Sequence, residues 1–126
     1  MRAIFIDSKN ETVSEWDYDG DYQNIQKKIG CRVFTVVGDP DSPDDLFVDD
    51  EGLFSLTPET KFFSLPWLPH PLCGNGVVLR CDDEGESVET TTKMEVYRDA
   101  IGFHNVNEVV AECHFQHVDE EEVKEI

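Results

Sequence analysis

Positive charge is scarce in this chain. It has 10 lysines and arginines against 28 aspartates and glutamates, a formal net charge of −18 over 126 residues. So few cations cannot neutralise a row of phosphates, which excludes ordinary nucleic-acid binding and disfavours an anionic membrane surface. Three explanations remain: a solubilising acidic surface, adaptation to high salt, or recognition of a basic partner, including mimicry of nucleic acid.

Long apolar segments and paired cysteines are also lacking. No run approaches the roughly 18–20 apolar residues that span a bilayer, so no membrane association is expected. The opening segment MRAIFIDSKN does not have the pattern of a signal peptide, which predicts a cytoplasmic protein with reduced thiols. The four cysteines include no C-x-x-C pair, so no structural zinc site is expected.

Motifs that carry catalysis are missing. The sequence contains no G-x-S-x-G, H-E-x-x-H, Walker or G-x-G-x-x-G pattern. Cys113, His114 and His117 resemble metal ligands. A predicted strand over 109–117 turns the two histidines to opposite faces, whereas a helix would bring Cys113 and His117 together. The other two histidines, His70 and His104, stand alone and are interpreted as surface or packing residues. We expect no enzymatic activity and no cofactor.

The strongest local pattern lies between residues 21 and 37. Its first half has helical spacing, with three apolar residues at i, i+3 and i+7: Tyr22, Ile25 and Ile29. Asp21 is suited to cap the first turn, and Gly30 to end the helix in a left-handed conformation. Residues 33–37 then form a run that is apolar on both faces, which predicts a central strand.

The remaining elements are short. Residues 12–18 alternate, which places Trp16 and Tyr18 on the sheet. Thr92 and Glu95 form a predicted capping box that opens a second helix, and Gly102 is its predicted end. Further strands are predicted over 3–7, 46–48, 53–55, 77–81, 87–91 and 109–117. The expected fold is α+β, with an antiparallel or mixed sheet of about six to eight short strands and two short helices. Residues 1–118 form the predicted domain and 119–126 an acidic tail.

Acidic residues are concentrated in two stretches. Residues 39–51 hold seven acids and no base, and the tetrapeptide DDEG occurs at both 49–52 and 82–85. A four-residue turn cannot wrap a calcium ion, so each DDEG is interpreted as a hairpin turn in which Gly52 or Gly85 supplies a positive φ. The candidate partner-binding residues are Asp39, Asp41, Asp44, Asp45, Asp49, Asp50, Glu51, Asp82, Asp83 and Glu84.

Residues 57–75 mix aromatic side chains with prolines and are predicted to be irregular. In one interpretation Phe62, Phe63 and Trp67 pack over an open face of the core. In the other, residues 62–71 are a lid over a small-ligand pocket that includes Trp16 or Trp67.

Four segments together resemble the domain of unknown function 3846 family of small phage and mobile-element proteins. They are AIFID, DYQNIQKKIGCRVFTVV, LFVDDEGLF and LCGNGVVLRCDDEGES, which lie between residues 3 and 87. The chain departs from the family pattern at Cys31, where a second glycine is usual, and at Asp49, where an asparagine is usual. The proline-aromatic segment 62–71 also departs from it.

The resemblance implies a small α+β domain of viral or plasmid origin with no known activity. By analogy with phage accessory proteins, we expect a non-enzymatic protein that binds a basic host-protein surface through its acidic stretches. Such a protein could mimic DNA or inhibit a host defence system. Two alternatives stay open: a module that binds nucleotides or signalling molecules, and a metal-dependent hydrolase that uses His114 and His117. The sequence leaves the oligomeric state undetermined.

Overall fold

A computed structural model describes residues 1–38, 42–51, 56–82, 84 and 86–109. These residues form nine strands and two helices, with a further helical turn over 106–109. In chain order the elements are β1 (Arg2–Asp7), β2 (Thr12–Asp17), α1 (Tyr22–Ile29), β3 (Phe34–Gly38), β4 (Asp44–Asp49), β5 (Lys61–Ser64), β6 (Leu72–Cys73), β7 (Gly76–Cys81), β8 (Ser87–Val88), α2 (Met94–Ala100) and β9 (Gly102–Asn105).

Two antiparallel sheets carry the fold, which confirms the α+β prediction. The main sheet has the order β2-β1-β7-β4-β3, and β8 pairs with the end of β7. The second sheet has the order β6-β5-β9.

The prediction that residues 33–37 form a central strand is wrong. Among the described residues, β3 is the last strand of the main sheet and pairs with β4 alone. Val33 and Val36 are 41% and 48% exposed. The central strand is β7, whose residues 77–79 are fully buried. An apolar run reports hydrophobicity, whereas the position of a strand in the sheet depends on partners distant in sequence.

Helix α1 has the predicted ends. The Asp21 side chain accepts a hydrogen bond from the amide of Gln23, and Gly30 ends the helix at φ 81°. Ile25 and Ile29 are buried against β7 and β4, but Tyr22, predicted on the same face, is 59% exposed. Tyr22 is the first residue of the helix, and the two isoleucines one turn apart define the packed face.

Both faces of the main sheet are buried. Under α1 lies a cluster of Ala3, Tyr18, Ile25, Ile29, Phe47, Val77 and Leu79, which Trp16 joins as predicted. On the opposite face, a cluster forms under the second sheet and α2 from Ile4, Ile6, Val13, Leu46, Val48, Phe63, Leu65, Val78 and Tyr97. The outer face of the second sheet carries a third cluster, in which Phe62 packs against Val106 and Val109 of the helical turn.

The segment predicted to be irregular contains β5 and β6. Phe62 and Phe63 are adjacent in β5, so they point to opposite faces, and both are buried. Trp67 is partly buried against the cluster that contains Phe63. The aromatic side chains therefore belong to the core, as in the packing interpretation.

The predicted ends of the second helix are wrong. Helix α2 is capped by Lys93 without a side-chain bond, and the helix gives way to extended backbone at Ile101, so Gly102 is a residue of β9. Of the predicted strand 109–117, Val109 lies in the helical turn. The rest of that strand, the strand 53–55, Gly52, Gly85 and the tail 119–126 lie outside the described residues.

Asp44 explains why the predicted capping box does not form. Its carboxylate accepts hydrogen bonds from the Thr91 amide and hydroxyl at 2.9 and 3.2 Å, and from the Thr92 amide at 2.9 Å. Asp44 is only 1% exposed. Burial alone would raise the pKa of this carboxyl, but the hydrogen bonds outweigh burial and hold its pKa below the ordinary value of 3.8. The charged side chain therefore fastens β4 to the segment that enters α2.

We expect Asp44→Ala to lower the free energy of unfolding by about 3 kcal/mol at pH 7, because it leaves buried amides without an acceptor. Since the folded-state pKa is depressed, the carboxylate contributes fully above pH 3.8 and its contribution is lost as pH falls through the folded-state pKa. Urea denaturation at pH 7 and below pH 3.8 measures both effects. Asp50→Asn, at an exposed site, is the control and should change stability by under about 0.5 kcal/mol.

Gly76 of β7 packs closely against side chains of both sheets, Leu46 of β4 and Phe63 of β5. A Cβ atom there would lie 3.0 Å from Leu46 Cδ1 and 3.1 Å from Phe63 Cζ, both on buried side chains. We expect Gly76→Ala to cost about 1–3 kcal/mol in thermal or urea unfolding, because neither neighbour has room to move. The matched Gly38→Ala should be tolerated, because its Cβ atom would lie in ordinary van der Waals contact, 3.8 Å from Asp45 Oδ1. Equal stability of the two variants would contradict the close packing.

Candidate functional site

The predicted partner-binding residues do not form one continuous surface. Strands β4 and β7 are antiparallel, with Asp44 opposite Arg80 and Val48 opposite Gly76. The 49–51 turn follows one end of β4, while the turn after β7 lies beside the other end. A six-residue strand separates its ends by about 17 Å, so residues 49–51 lie at one end of the main sheet and Asp82 and Glu84 at the other.

The 49–51 turn is partly neutralised. Arg32 Nη2 lies 2.7 Å from Glu51 Oε2, and its Nε lies 3.1 Å from Oε1 of the same carboxylate. This contact raises the pKa of the Arg32 guanidinium. Asp49 accepts a hydrogen bond from the Glu51 amide at 2.9 Å, which leaves Asp50 as the exposed acid of this turn.

At the opposite end of the sheet lies a group of four acids, Asp45, Asp82, Glu84 and Glu86, which we call the acidic end. Asp82 Oδ1 accepts hydrogen bonds from the amides of Glu84 and Glu86, both at 2.9 Å. The two glutamates are exposed and Asp45 is half-buried. Within the described part of the chain, none of the four forms an ion pair. Of the predicted residues, Asp39, Asp41 and Asp83 lie outside the described ranges, and Asp44 is buried.

Two of these acids, Asp45 and Asp82, lie near enough to Cys81 to affect the pKa of its thiol. Burial raises the pKa of its thiol, and the negative charges of Asp45 and Asp82 raise the pKa further. At the other end of β4, burial raises the pKa of Cys31 and that of Cys73, the latter to about 11, and the negative charge of Asp49 contributes to both increases. Asp45 and Asp82 thus act on one thiol although they are 37 positions apart in the sequence.

Several cations are held by groups other than carboxylates. The guanidinium of Arg2 donates to the Thr90 carbonyl at 2.6 Å, and that of Arg98 to the Val13 carbonyl at 3.2 Å. Lys28 Nζ lies 4.5 Å from the centre of the Phe5 ring. Within the described ranges two ion pairs form, between the Met1 amino group and Asp17 and between Arg32 and Glu51. The contact of His104 with Glu108 is an ion pair only when the imidazole is protonated. Most of the described negative charge therefore has no cation in contact with it.

The residues of the predicted lid are not brought together. Trp16 packs under α1 and Trp67 under the second sheet, on opposite faces of the main sheet. Two surface cavities adjoin Trp16, of about 350 and 460 Å³. The first is bordered by Asp19, Lys27 and Lys28, and neither contains an aromatic residue from 62–71.

The structure also brings together a serine, a histidine and a glutamate, of which only His104 was considered above, as a lone histidine. Ser64 Oγ lies 2.8 Å from His104 Nε2, and His104 Nδ1 lies 3.4 Å from Glu108 Oε2. The spacing of His104 and Glu108 at i and i+4 is visible in the sequence. Ser64 is 40 positions away, and its proximity depends on the pairing of β5 with β9.

Metal and membrane features are limited to what the described ranges contain. No group of three or more histidine, cysteine, aspartate or glutamate side chains there could hold a metal ion. The candidate ligands Cys113, His114 and His117 lie outside those ranges. No helix within them has the length and hydrophobicity needed to cross a membrane.

Comparison with known proteins finds one family. The family model described as Domain of unknown function (DUF3846) matches residues 1–102. No curated protein and no solved structure matches the chain. The matched range contains the main sheet and the strands β5 and β6 of the second sheet. It ends at the first residue of β9, before His104.

We expect the double variant Asp45→Asn and Asp82→Asn to speed alkylation of Cys81 by iodoacetamide at pH 8. Removing the two charges lowers the thiol pKa and increases the thiolate fraction, while asparagine at 82 keeps an acceptor oxygen for the turn. Peptide-resolved mass spectrometry at low salt measures the rate. Asp50→Asn should leave the alkylation rate of Cys81 unchanged. Equal rates in the parent, the double variant and Asp50→Asn would contradict the proximity of Asp45 and Asp82 to the thiol.

Proposed function

This chain belongs to the domain of unknown function 3846 family, and we propose that it binds a basic surface of a partner protein through the acidic end. The family model carries no assigned activity, so the proposal rests on the surface of this chain. Its main support is that the four described carboxylates of the acidic end lie at one end of the sheet with no cation paired to them.

The acidic end is held by the fold. Asp45 belongs to β4 between two neighbouring strands, and Asp82 fixes the turn that presents Glu84 and Glu86. Preset charges need no rearrangement before a partner binds, which reduces the entropic cost of association. Clustered charge of one sign also raises the rate of encounter with an oppositely charged surface, and this effect weakens as salt increases.

The proposed role is that of a phage-type accessory protein in the cytoplasm of a host cell. Its acidic end would occlude a basic surface of a host protein, as a nucleic-acid mimic or an inhibitor of a defence system does. The net charge of −18 supports this role, and the family resemblance supports it by analogy.

The small-ligand alternative has less support. Ligand sites are typically concave and lined mainly by apolar side chains. The cavities beside Trp16 are bordered largely by charged residues, among them Asp17, Lys27 and Glu89. The aromatic residues expected to complete such a site, Phe62 and Phe63, are buried in the core.

The proposal predicts that binding depends on where the negative charges lie. In the test variant, Asp45→Asn, Asp82→Asn, Glu84→Gln and Glu86→Gln together change the net charge from −18 to −14. We expect this variant to bind a fluorescently labelled lysine-rich peptide about tenfold more weakly than the parent, which corresponds to about 1.4 kcal/mol. Fluorescence anisotropy at low and physiological salt measures the affinity.

The matched control removes four charges from exposed acids elsewhere, through Asp50→Asn, Glu59→Gln, Glu95→Gln and Asp99→Asn. It has the same net charge as the test variant and should keep nearly the parent affinity. Equal weakening of the two variants would mean that total charge alone drives binding. No weakening in either, or binding unaffected by salt, would likewise contradict the proposal.

A further inference from the structure

A chain of hydrogen bonds crosses the outer face of the second sheet. In the pairing of β5 with β9, Phe62 lies opposite His104 and Ser64 lies opposite Gly102. Alternate residues of a strand share a face, so Ser64 and His104 are diagonal neighbours on the face that also carries Phe62. The Ser64 hydroxyl meets His104 Nε2 at 2.8 Å, and His104 Nδ1 meets Glu108 Oε2 at 3.4 Å.

The carboxylate sets the direction of these bonds. An ionised glutamate can only accept hydrogen bonds, so the proton of a neutral imidazole belongs on Nδ1, which faces Glu108. Nε2 is then an acceptor, and the Ser64 hydroxyl donates to it. A histidine in this tautomer can remove a proton from the serine hydroxyl, which is the arrangement that activates a serine nucleophile.

Local structure holds Glu108 in place. The Asn105 side chain accepts a hydrogen bond from the Glu108 amide at 3.0 Å and so caps the helical turn over 106–109. Val106 and Val109 of the same turn are buried against Phe62. The turn is therefore packed on the sheet beside His104, and the contacts of Val106 and Val109 with Phe62 position the Glu108 carboxylate near the imidazole.

Gly102 lies close against the serine and the histidine. A Cβ atom on Gly102 would lie 3.0 Å from Ser64 Oγ and 3.3 Å from His104 Nε2, so any larger residue would crowd the reacting atoms. The His104 side chain is 31% exposed and Ser64 is half-buried. Both residues therefore keep part of their surface accessible to solvent, from which a small electrophile would approach the hydroxyl.

We propose that Ser64 is a nucleophile toward activated carboxylic esters, with His104 as general base and Glu108 as a positioning residue. Ser64 Oγ bonds to the ester carbonyl carbon while its proton passes to His104 Nε2. The carbon–oxygen bond to the alcohol then breaks, and the leaving alcohol takes that proton. Water adds to the acyl-serine by the same route, which releases the acid and restores the hydroxyl. This activity lies apart from the acidic end and does not depend on the proposed binding.

A fluorophosphonate probe tests the nucleophile directly. Attack by Ser64 Oγ forms an oxygen–phosphorus bond and expels fluoride, and the product is stable enough for peptide mapping. We expect one adduct on Ser64 in the folded protein and none after denaturation in urea. No adduct, or an adduct at another residue, would overturn the proposal.

Substitutions separate chemistry from packing. His104→Gln keeps a polar side chain but no base, and should slow labelling about 100-fold, within the range of general-base contributions. Glu108→Gln should slow labelling less, and Glu108→Asp should restore part of the rate, which a purely structural role would not require. Ser14→Ala and His70→Gln, at exposed positions, are the matched controls and should label at the parent rate.

Thermal unfolding of each variant confirms that it is folded before labelling rates are compared. Hydrolysis of p-nitrophenyl acetate, followed by release of nitrophenolate, supplies the second readout. A burst that disappears in Ser64→Ala supports an acyl-serine. Labelling of His104→Gln at the parent rate, with an unchanged melting temperature, would show that the histidine does not activate the serine and would refute the mechanism.

Discussion

The fold depends on burying β7 from both sides. Val77, Val78 and Leu79 are consecutive and fully buried, so alternate side chains of the strand require cover on opposite faces of the main sheet. Helix α1 covers one face through two isoleucines, and the second sheet with α2 covers the other. The strands of the main sheet are antiparallel, so the turns that connect them lie at the two ends of the sheet.

The location of the acidic residues follows from that arrangement. With both sheet faces occupied, much of the excess negative charge lies in the turns at the sheet ends. The two ends differ because Arg32 pairs with Glu51 at one, while the described acids at the other meet no cation. Asp44 shows the opposite use of a carboxylate, since its charge is buried and satisfied by three hydrogen bonds from Thr91 and Thr92. Acid-rich sequence alone does not separate a structural carboxylate from one free to meet a partner.

The second sheet has two roles that lie on its two faces. Phe63 on the inner face closes the core over Gly76, and the outer face carries Ser64 and His104. Because β5 is packed on both faces and pairs with β6 and β9, the serine and the histidine are held on a well-supported strand. A site of this kind is better ordered than one carried by a free loop.

Local features were readable from the sequence because they depend on near neighbours. Asp21 and Gly30 act within a turn of the residues they cap, and the alternation of residues 12–18 correctly located Trp16 and Tyr18. The antiparallel α+β class followed from many short strands with turn signals between them.

Features that depend on distant partners were not readable. Residues 33–37 are as apolar as a central strand, yet they lie at the edge of the described main sheet. No capping box forms because the Thr92 amide donates to the carboxylate of Asp44, 48 positions earlier. The contact of Ser64 with His104 likewise required the pairing of two strands 40 positions apart. The sequence by itself determined local conformation, fold class and net charge. The tertiary structure decided strand order, which carboxylates are buried or paired, and which side chains meet, because those outcomes depend on long-range packing.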